Sequence, residues 1–447
     1  MAGSPISFSF DGRHSTGNAA PVFDLPGLVC GTVHIDRDQA CRSHAVKLTL
    51  TGKLETSVTY GISATGLVLM RSLEQLFLEL VDTHASVERV DMAGDEGSLV
   101  IPFTFRVPTP MSQGCTGLLG HATCYPPSLT VGTRRLRINS TSSRAHGSVR
   151  YQVVAQLFQG EREILCYLVD IGVTNVSLEN PPPVSVDDFP GEYKCSNGKS
   201  IRSPPIIKTW RFSRPCSAQS RMRLAVTIRE PKVMNLGTSR QQGKEHYMSL
   251  DALFHLHQAS TSADEASKQP DEMHVTISWL LESTTFVSVV PLYELPTLQD
   301  AIADPYIAAA ATSTPLRTIK LVLRDWTSCD GGGAAPCPTG SQSVRKRRFI
   351  LTTAPIEFES HWHRHERLFL PLTELTEGST TFSTPYLSRR HTIQLQLEGC
   401  RHGATAVRLR LAVPLQIFKI RPPNELTEAH ASPARQSPLV ASPVYVR

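Results

Sequence analysis

The chain runs to 447 residues, enough for two ordinary domains with a core in each. Hydrophobic residues make up 40% and charged residues 19%, which excludes wholesale disorder, and no apolar run approaches the ~20 residues of a membrane-spanning helix. A net charge of +5, from 45 basic and 40 acidic residues, permits contact with anionic partners but does not demand nucleic acid.

The opening, residues 1–17, has no basic segment leading into an apolar one, so no secretory signal is expected, and Ala2 excludes myristoylation. Residues 1–24 are expected to be a flexible N-terminus. The ten cysteines are scattered without any Cys-x-x-Cys spacing, and in an intracellular chain they read as free thiols. The sequons at Asn139 and Asn175 are then expected to stay unglycosylated.

Alternation with period 2 dominates from there on. It runs through Val46-Lys47-Leu48-Thr49-Leu50 and then through Leu99, Ile101, Phe103, Phe105 and Val107. It returns over 223–228, 318–323 and 392–397, and is longest from Val407 to Ile417. Such strands bury one face and wet the other, as in antiparallel sandwiches. Residues 67–81 carry two signals. Leu69, Leu73, Leu76 and Leu80 recur at helical spacing, which predicts one amphipathic helix, while Phe77 to Val81 alternates like a strand.

Residues 180–204 are expected to be a linker: Pro181-Pro182-Pro183 and the nearby Asp187-Asp188 cannot sit inside a sheet. Polar insertions follow at 236–246, 259–272 and 328–347. The chain after 418 is rich in Pro, Ser and Ala and reads as a disordered tail. The simplest architecture is therefore all-β: an antiparallel β-sandwich over 25–179, the linker, a second over 205–418 and the tail, 419–447. The first sandwich would hold the one short helix.

Signatures of catalysis are sparse. Neither His-Glu-x-x-His nor Gly-x-Ser-x-Gly occurs, and Gly191 to Ser200 spaces its glycines too widely for a phosphate loop. Asp36 and Asp38 fit a solvated turn after a strand. His361, His363 and His365 would share one face of a strand and are candidate zinc ligands. Same-face neighbours on one strand lie ~6.6 Å apart, however, so a wet face of polar histidines is the better reading. An enzyme reading would have to use these groups, and nothing in the sequence pairs a nucleophile with a base. No catalytic residue and no cofactor are expected.

Two basic clusters are candidate contacts for anionic partners. Arg134, Arg135 and Arg137, with Arg144, flank an Asn-Ser-Thr-Ser-Ser run, and arginine offers phosphate bidentate contacts. Arg345, Lys346, Arg347 and Arg348 form the other, a run suited to anionic lipid or simply to a solvated loop. Ser432, Ser437 and Ser442 each precede proline and are candidate phosphorylation sites.

The order of several segments resembles the arrestin family, in particular the fungal arrestin-related (α-arrestin) proteins. Val29-Cys30-Gly31-Thr32-Val33-His34-Ile35, then Val46 to Gly52, are similar to its opening "G-x-V" strand and "x-L-x-L-x-G" partner. Leu99 to Pro108 resembles "(F/Y)-P-F-x-F-x-(I/L)-P", and Tyr125-Pro126-Pro127-Ser128-Leu129 with Ser148 to Ala155 resembles "L-P-P-S" leading into "V-x-Y-x-(L/V)-x-A". In the second half, Thr381 to Leu397 is similar to the family's "P-T-F-x-S-x-x-I-x-R-x-Y" strand pair, and Pro414 to Ile417 to its terminal "P-(I/L)-x-I".

The resemblance spans about residues 25–418. It implies a non-catalytic cytoplasmic adaptor, peripheral at plasma membrane or endosomes, that binds cytoplasmic segments of membrane transporters or receptors and links them to ubiquitin-dependent endocytosis or sorting. Fungal members recruit a HECT-type ubiquitin ligase through Pro-Pro-x-Tyr. This sequence departs there: the pairs at Pro126, Pro182 and Pro422 lack the tyrosine, and Ser442-Pro443-Val444-Tyr445 has one proline. That departure favours the alternative of a ligase-independent sorting subunit, retromer-like or coat-like. The charged polar core of the visual and β-arrestins has no counterpart legible in the sequence.

Overall fold

A computed structural model of the chain describes residues 5–11, 20–40, 43, 45–62, 68–85, 99–108, 125–132, 144–177, 206–213, 220–228, 231, 233–236, 246–260, 268–270, 272–292, 296–328, 358–372, 380–400 and 407–420. The first half holds strands β1 (Ile6–Phe10), β2 (Val22–Leu25), β3 (Gly27–Ile35), β4 (Ala45–Ile62) and β5 (Val68–Ala85). After these come β6 (Leu99–Val107), β7 (Leu129–Gly132), β8 (Arg144–Gln159) and β9 (Arg162–Ser177). The second half begins with β10 (Ile206–Ser213), β11 (Ser220–Ile228), β12 (Met234–Asn235), β13 (His246–Ser260), β14 (Met273–Ser288), β15 (Ile307–Ser313) and β16 (Arg317–Leu323). It closes with β17 (Thr327–Ser328), β18 (Phe358–Leu372), β19 (Phe382–Ser383), β20 (Leu387–Cys400), β21 (Val407–Leu415) and β22 (Ile417–Ile420). Two short helices, α1 (Arg37–Ala40) and α2 (Leu298–Ala303), complete the described elements. The chain is all-β. Among the described residues, no helix is long and apolar enough to cross a membrane.

Four sheets result. The first is β1–β3–β6 and the second β12–β22–β9–β8–β4–β5, with β2 beside β9 and β7 beside β8. The third is β10–β11–β13–β18–β17, and the fourth β15–β14–β20–β19, with β16 on β14 and β21 on β20. Side chains from the first two sheets meet in one core: Val29 and Val33 of β3, Leu99 to Val107 of β6, Leu48 and Leu50 of β4, Tyr151 and Val153 of β8. A second core joins Leu224 and Val226 of β11 and Phe254 of β13 to Ile277 of β14 and Leu395 of β20. The alternation read over 99–107 and 392–397 is the face that enters each core. Phe103 anchors an aromatic cluster edge-on to Phe8 and Phe10, with centroids 6.2 and 5.9 Å away.

The first core also reaches the fourth sheet, taking in Val287 of β14 and Leu387 of β20. The Thr56 hydroxyl of β4 donates to the Ser288 carbonyl at the end of β14, 2.8 Å away and buried. Gly147 of β8 is small for the same reason: a Cβ there would lie 2.9 Å from Leu387 and 3.2 Å from Val287.

Three expectations need correction. The segment expected to be a helix over 67–81 is not one: from Val68 on it lies in β5, antiparallel to β4. Gly52 pairs with Leu78 and Lys53 with Leu76, so Phe77 is an extra, bulged residue. The bulge turns Phe77 inward onto Gly52, where a Cβ would come within 2.8 Å of the ring, and leaves Leu78 buried beside it. Two consecutive inward residues break the period of 2 and imitate a helical spacing of leucines, although Leu69 and Leu76 stay exposed. Next, the N-terminus expected to be flexible carries β1, paired with β3, and β2, paired with β9. Lastly, the tail boundary at 419 cuts through β22, whose Lys419 is buried and paired. The linker 180–204 and the tail from 421 lie outside the described residues, as does nearly all of the insertions at 236–246 and 328–347 and the middle of the one at 259–272.

Candidate functional site

β13 and β18 pair antiparallel along their whole 15-residue lengths. Leu250, Ala252, Phe254 and Leu256 on one strand, with Trp362, Leu368 and Leu370 on the other, face the core. The alternate residues face outward, and five of them are histidines. The register sets His255 opposite His363 and His257 opposite His361, with His365 opposite Leu253 and Arg367 opposite Asp251. The rings of His257 and His361 lie edge to face with centroids 4.7 Å apart. Arg367 Nε donates to Asp251 Oδ1 at 3.1 Å, and His365 Nε2 lies 3.9 Å from the same oxygen. Tyr247 and Phe369 stand at the far end of this face, 58% and 59% exposed. Burial first, then the charges of His363 and His361, push the His255 imidazole below its usual 6.5.

The predicted zinc trio therefore does share one face of β18, as a strand requires. Among the described residues, however, no three His, Cys, Asp or Glu side chains are placed to hold one metal ion. Successive same-face positions lie ~6.6 Å apart, whereas directly opposed positions on neighbouring strands lie ~5 Å apart, so His361 meets the ring of His257 across the strands instead.

A second charged site is closed to water. β2 and β22 both run parallel to β9 along one edge, β2 at Gly172 to Asn175 and β22 at Val176 to Ser177. Their meeting point brings Lys419 Nζ to 2.5 Å from Asp24 Oδ1 and 3.4 Å from Thr174 Oγ1. The Thr174 hydroxyl also donates to the Asp24 carboxylate. The carboxylate and hydroxyl replace hydration that the lysine gives up here.

Beside this junction, residues 125–129 are clamped onto β9. The Tyr151 hydroxyl donates to the Pro126 carbonyl at 2.7 Å; the Ser128 amide donates to the Val173 carbonyl at 2.9 Å, and the Val173 amide to Ser128 Oγ at 2.8 Å. Pro126 and Pro127 are buried. Burial pushes the Tyr125 phenol up to about 12 and Tyr151 well above its usual value, so both remain protonated.

A third feature is an edge. Among the described residues β5 pairs only with β4 and ends its sheet. Along it Leu69, Met70, Leu76 and Val81 are exposed at 39%, 62%, 43% and 49%.

The other sequence candidates are quickly placed. Asp36 and Asp38 are exposed at the start of α1, where the Asp36 carbonyl accepts from the Gln39 and Ala40 amides, a solvated turn. Asn175 is only 2% exposed within β9, out of reach of glycosylation. Cys30 and Cys166 are free thiols, both pushed up chiefly by burial. Arg134, Arg135, Arg137, Arg345, Lys346, Arg347, Arg348, Ser432, Ser437 and Ser442 lie outside the described residues. Sequence reading missed His255, His257, Asp24 and Lys419. Only the cross-strand register, which no local pattern encodes, brings them to their partners. No protein-family model matches the chain, and no curated protein matches its sequence.

Proposed function

We propose that this chain is a non-catalytic adaptor of the arrestin kind, which binds cytoplasmic segments of membrane transporters or receptors and links them to ubiquitin-dependent endocytosis or sorting. The observation that carries the reading is β5. An 18-residue strand that among the described residues is paired on one side only, with four apolar side chains exposed along it, offers backbone donors and acceptors to an added strand. An extended cargo segment fits that chemistry: main-chain hydrogen bonds supply affinity, and the apolar positions supply selectivity. The buried contacts of β4 and β8 with β14 and β20 support it further, because they hold the two halves of the chain as a scaffold.

A second reading keeps the scaffold and drops the ligase. Pro126-Pro127 is buried and clamped to β9, which favours a structural role for that segment over display to a WW domain. On this reading the chain is a ligase-independent sorting subunit.

Affinity purification of the tagged chain from its native cells, with mass spectrometry, tests both. Transporters or receptors recovered with a HECT ligase, and ubiquitin on the chain, support the first reading; coat or sorting subunits alone support the second. Cargo capture should fall when Met70, Leu76 and Val81 become Glu, with the melting temperature unchanged. Equal capture by that variant would remove β5 from the account, and recovery of neither class would overturn both readings.

A further inference from the structure

The edge strand β5 carries a charge pattern as well as an apolar one. Glu74, Leu76, Glu79 and Val81 lie opposite Glu55, Lys53, Thr51 and Thr49 of β4. Leu50 and Leu54 of β4, between these positions, are buried in the first core, so the set occupies the other face of the sheet. Along that face an exposed carboxylate, an exposed leucine, a second exposed carboxylate and an exposed valine follow one another. Phe77 and Leu78 both turn inward at the bulge, which keeps Leu76 and Glu79 on the same side.

We infer that the segment added to this edge is cationic: an extended partner strand in which aliphatic residues alternate with lysine or arginine. The inference rests on the reading of β5 as a strand-addition edge and names the chemistry of what is added.

The charges that meet an incoming strand are negative. β5 brings Glu74 and Glu79 to this face and, among its described residues, no cation. Arg71 pairs with buried Val58 on the opposite face, where its guanidinium lies over the Tyr306 ring at 5.5 Å. One strand back, Glu55 stands directly opposite Glu74. Lys53 Nζ donates to Glu74 Oε1 at 3.2 Å, and Ser148 Oγ to Glu55 Oε2 at 3.4 Å. Like charges directly opposed weaken a sheet, and Lys53 supplies one positive charge against the two carboxylates of this row. A cation arriving on the open side of Glu74 adds the second. The Lys53–Glu74 pair is 42% and 61% exposed, so it rearranges at little cost. Glu79 faces neutral Thr51, whose hydroxyl donates to the Gln152 carbonyl. Lys47, the remaining cation on this face of β4, lies beyond Val81, opposite Thr83.

The spacing suits an alternating partner. Same-face positions repeat every ~6.6 Å along a strand, so three successive same-face residues of the partner meet Glu74, Leu76 and Glu79. Lysine and arginine stems can lie along Met70, Leu76 and Val81 while their heads reach the carboxylates. Basic segments of this kind flank the membrane spans of transporters and receptors on the cytoplasmic side.

The test is fluorescence anisotropy of a labelled peptide, Val-Thr-Lys-Thr-Leu-Thr-Lys-Thr-Val, with the full chain. Its sequence reads the same in both directions, so either strand orientation sets lysine against Glu74 and Glu79. The same peptide with Glu in place of Lys should bind about tenfold more weakly, and the difference should shrink at high salt. Glu74→Lys with Glu79→Lys should invert the preference, with circular dichroism confirming the fold. Glu74→Gln with Glu79→Gln is the milder pair and should remove the preference without inverting it. N-methylation of alternate peptide residues should abolish binding in one phase and spare it in the other, because one row of amides faces β5.

Equal binding of the two peptides, still lost in one methylation phase, would overturn the cationic partner and leave the strand-addition edge standing. A preference for lysine that survives the double charge reversal would also overturn it. Binding indifferent to methylation, or no binding of either peptide, would overturn the edge and the cationic partner together.

Discussion

At the junction of β2, β9 and β22, Lys419 and Asp24 meet with side chains 10% and 18% exposed; on the outward face of the third sheet, Arg367 and Asp251 meet with side chains 59% and 42% exposed. The residue types match, and the environments do not. The junction pair has given up most of its water, so removing either partner strands the other charge in the interior. The face pair keeps its water; it is cheap to make or break and stays open to protons, salt and partners. Burial, and not charge, separates a structural tie from a responsive surface.

That contrast can be broken most directly at the junction. Lys419→Met should cost about 3–5 kcal/mol in urea unfolding, because it removes the cation that faces the mostly buried Asp24 carboxylate. Adding Asp24→Leu should recover most of the loss. A cost under about 1 kcal/mol for the single change would mean that the pair is solvated after all.

A purely apolar truncation supplies the scale. Phe103→Ala, 3% exposed in the first core, should also cost about 3–5 kcal/mol by the same measurement. Between the extremes lies the contact of β8 with the fourth sheet. Gly147→Val would press on Leu387 and Val287, and overpacking of this kind typically costs about 1–3 kcal/mol.

Smaller effects sharpen the other side. His255 is held below its usual 6.5 in the folded chain, so below that pH the unfolded chain takes the proton first and stability falls on acidification. Above it the group adds no pH dependence. His255→Gln should therefore flatten the slope of melting temperature below pH 6.5, and an unchanged slope would assign it to other groups. Arg367→Ala should cost less than about 1 kcal/mol, and the difference should vanish in concentrated salt.

Much of the all-β fold was legible because its strands bury every second residue without interruption. β6 is the clearest case: Leu99, Ile101, Phe103, Phe105 and Val107 are read as one face and form one face. β5 was misread because the Phe77 bulge shifts the phase midway, and a one-residue insertion in a strand leaves the same local trace as a helix. α2 carried a signal that went unread, the capping box of Thr297 and Asp300.

The histidine face was half legible. His361, His363 and His365 announce themselves along one strand, but His255 and His257 join them only through pairing between strands more than a hundred residues apart. Lys419 was lost to the tail because a lysine before a proline pair reads as solvent-exposed. Its partner, Asp24, is 395 residues away in sequence.

That separation has a consequence for how the molecule comes into being on a ribosome. Chains grow at about 5–20 residues per second, so Asp24 waits on the order of 20–80 s before Lys419 has been synthesised. Once β9 has been made, the edge that β22 will occupy stands open for the rest of that interval. A nascent first half can collapse around Phe103 and Tyr151, yet its charged seam is sealed only when the far end of the chain returns. Chaperone occupancy on stalled nascent chains should persist until β22 has left the exit tunnel, and then drop sharply.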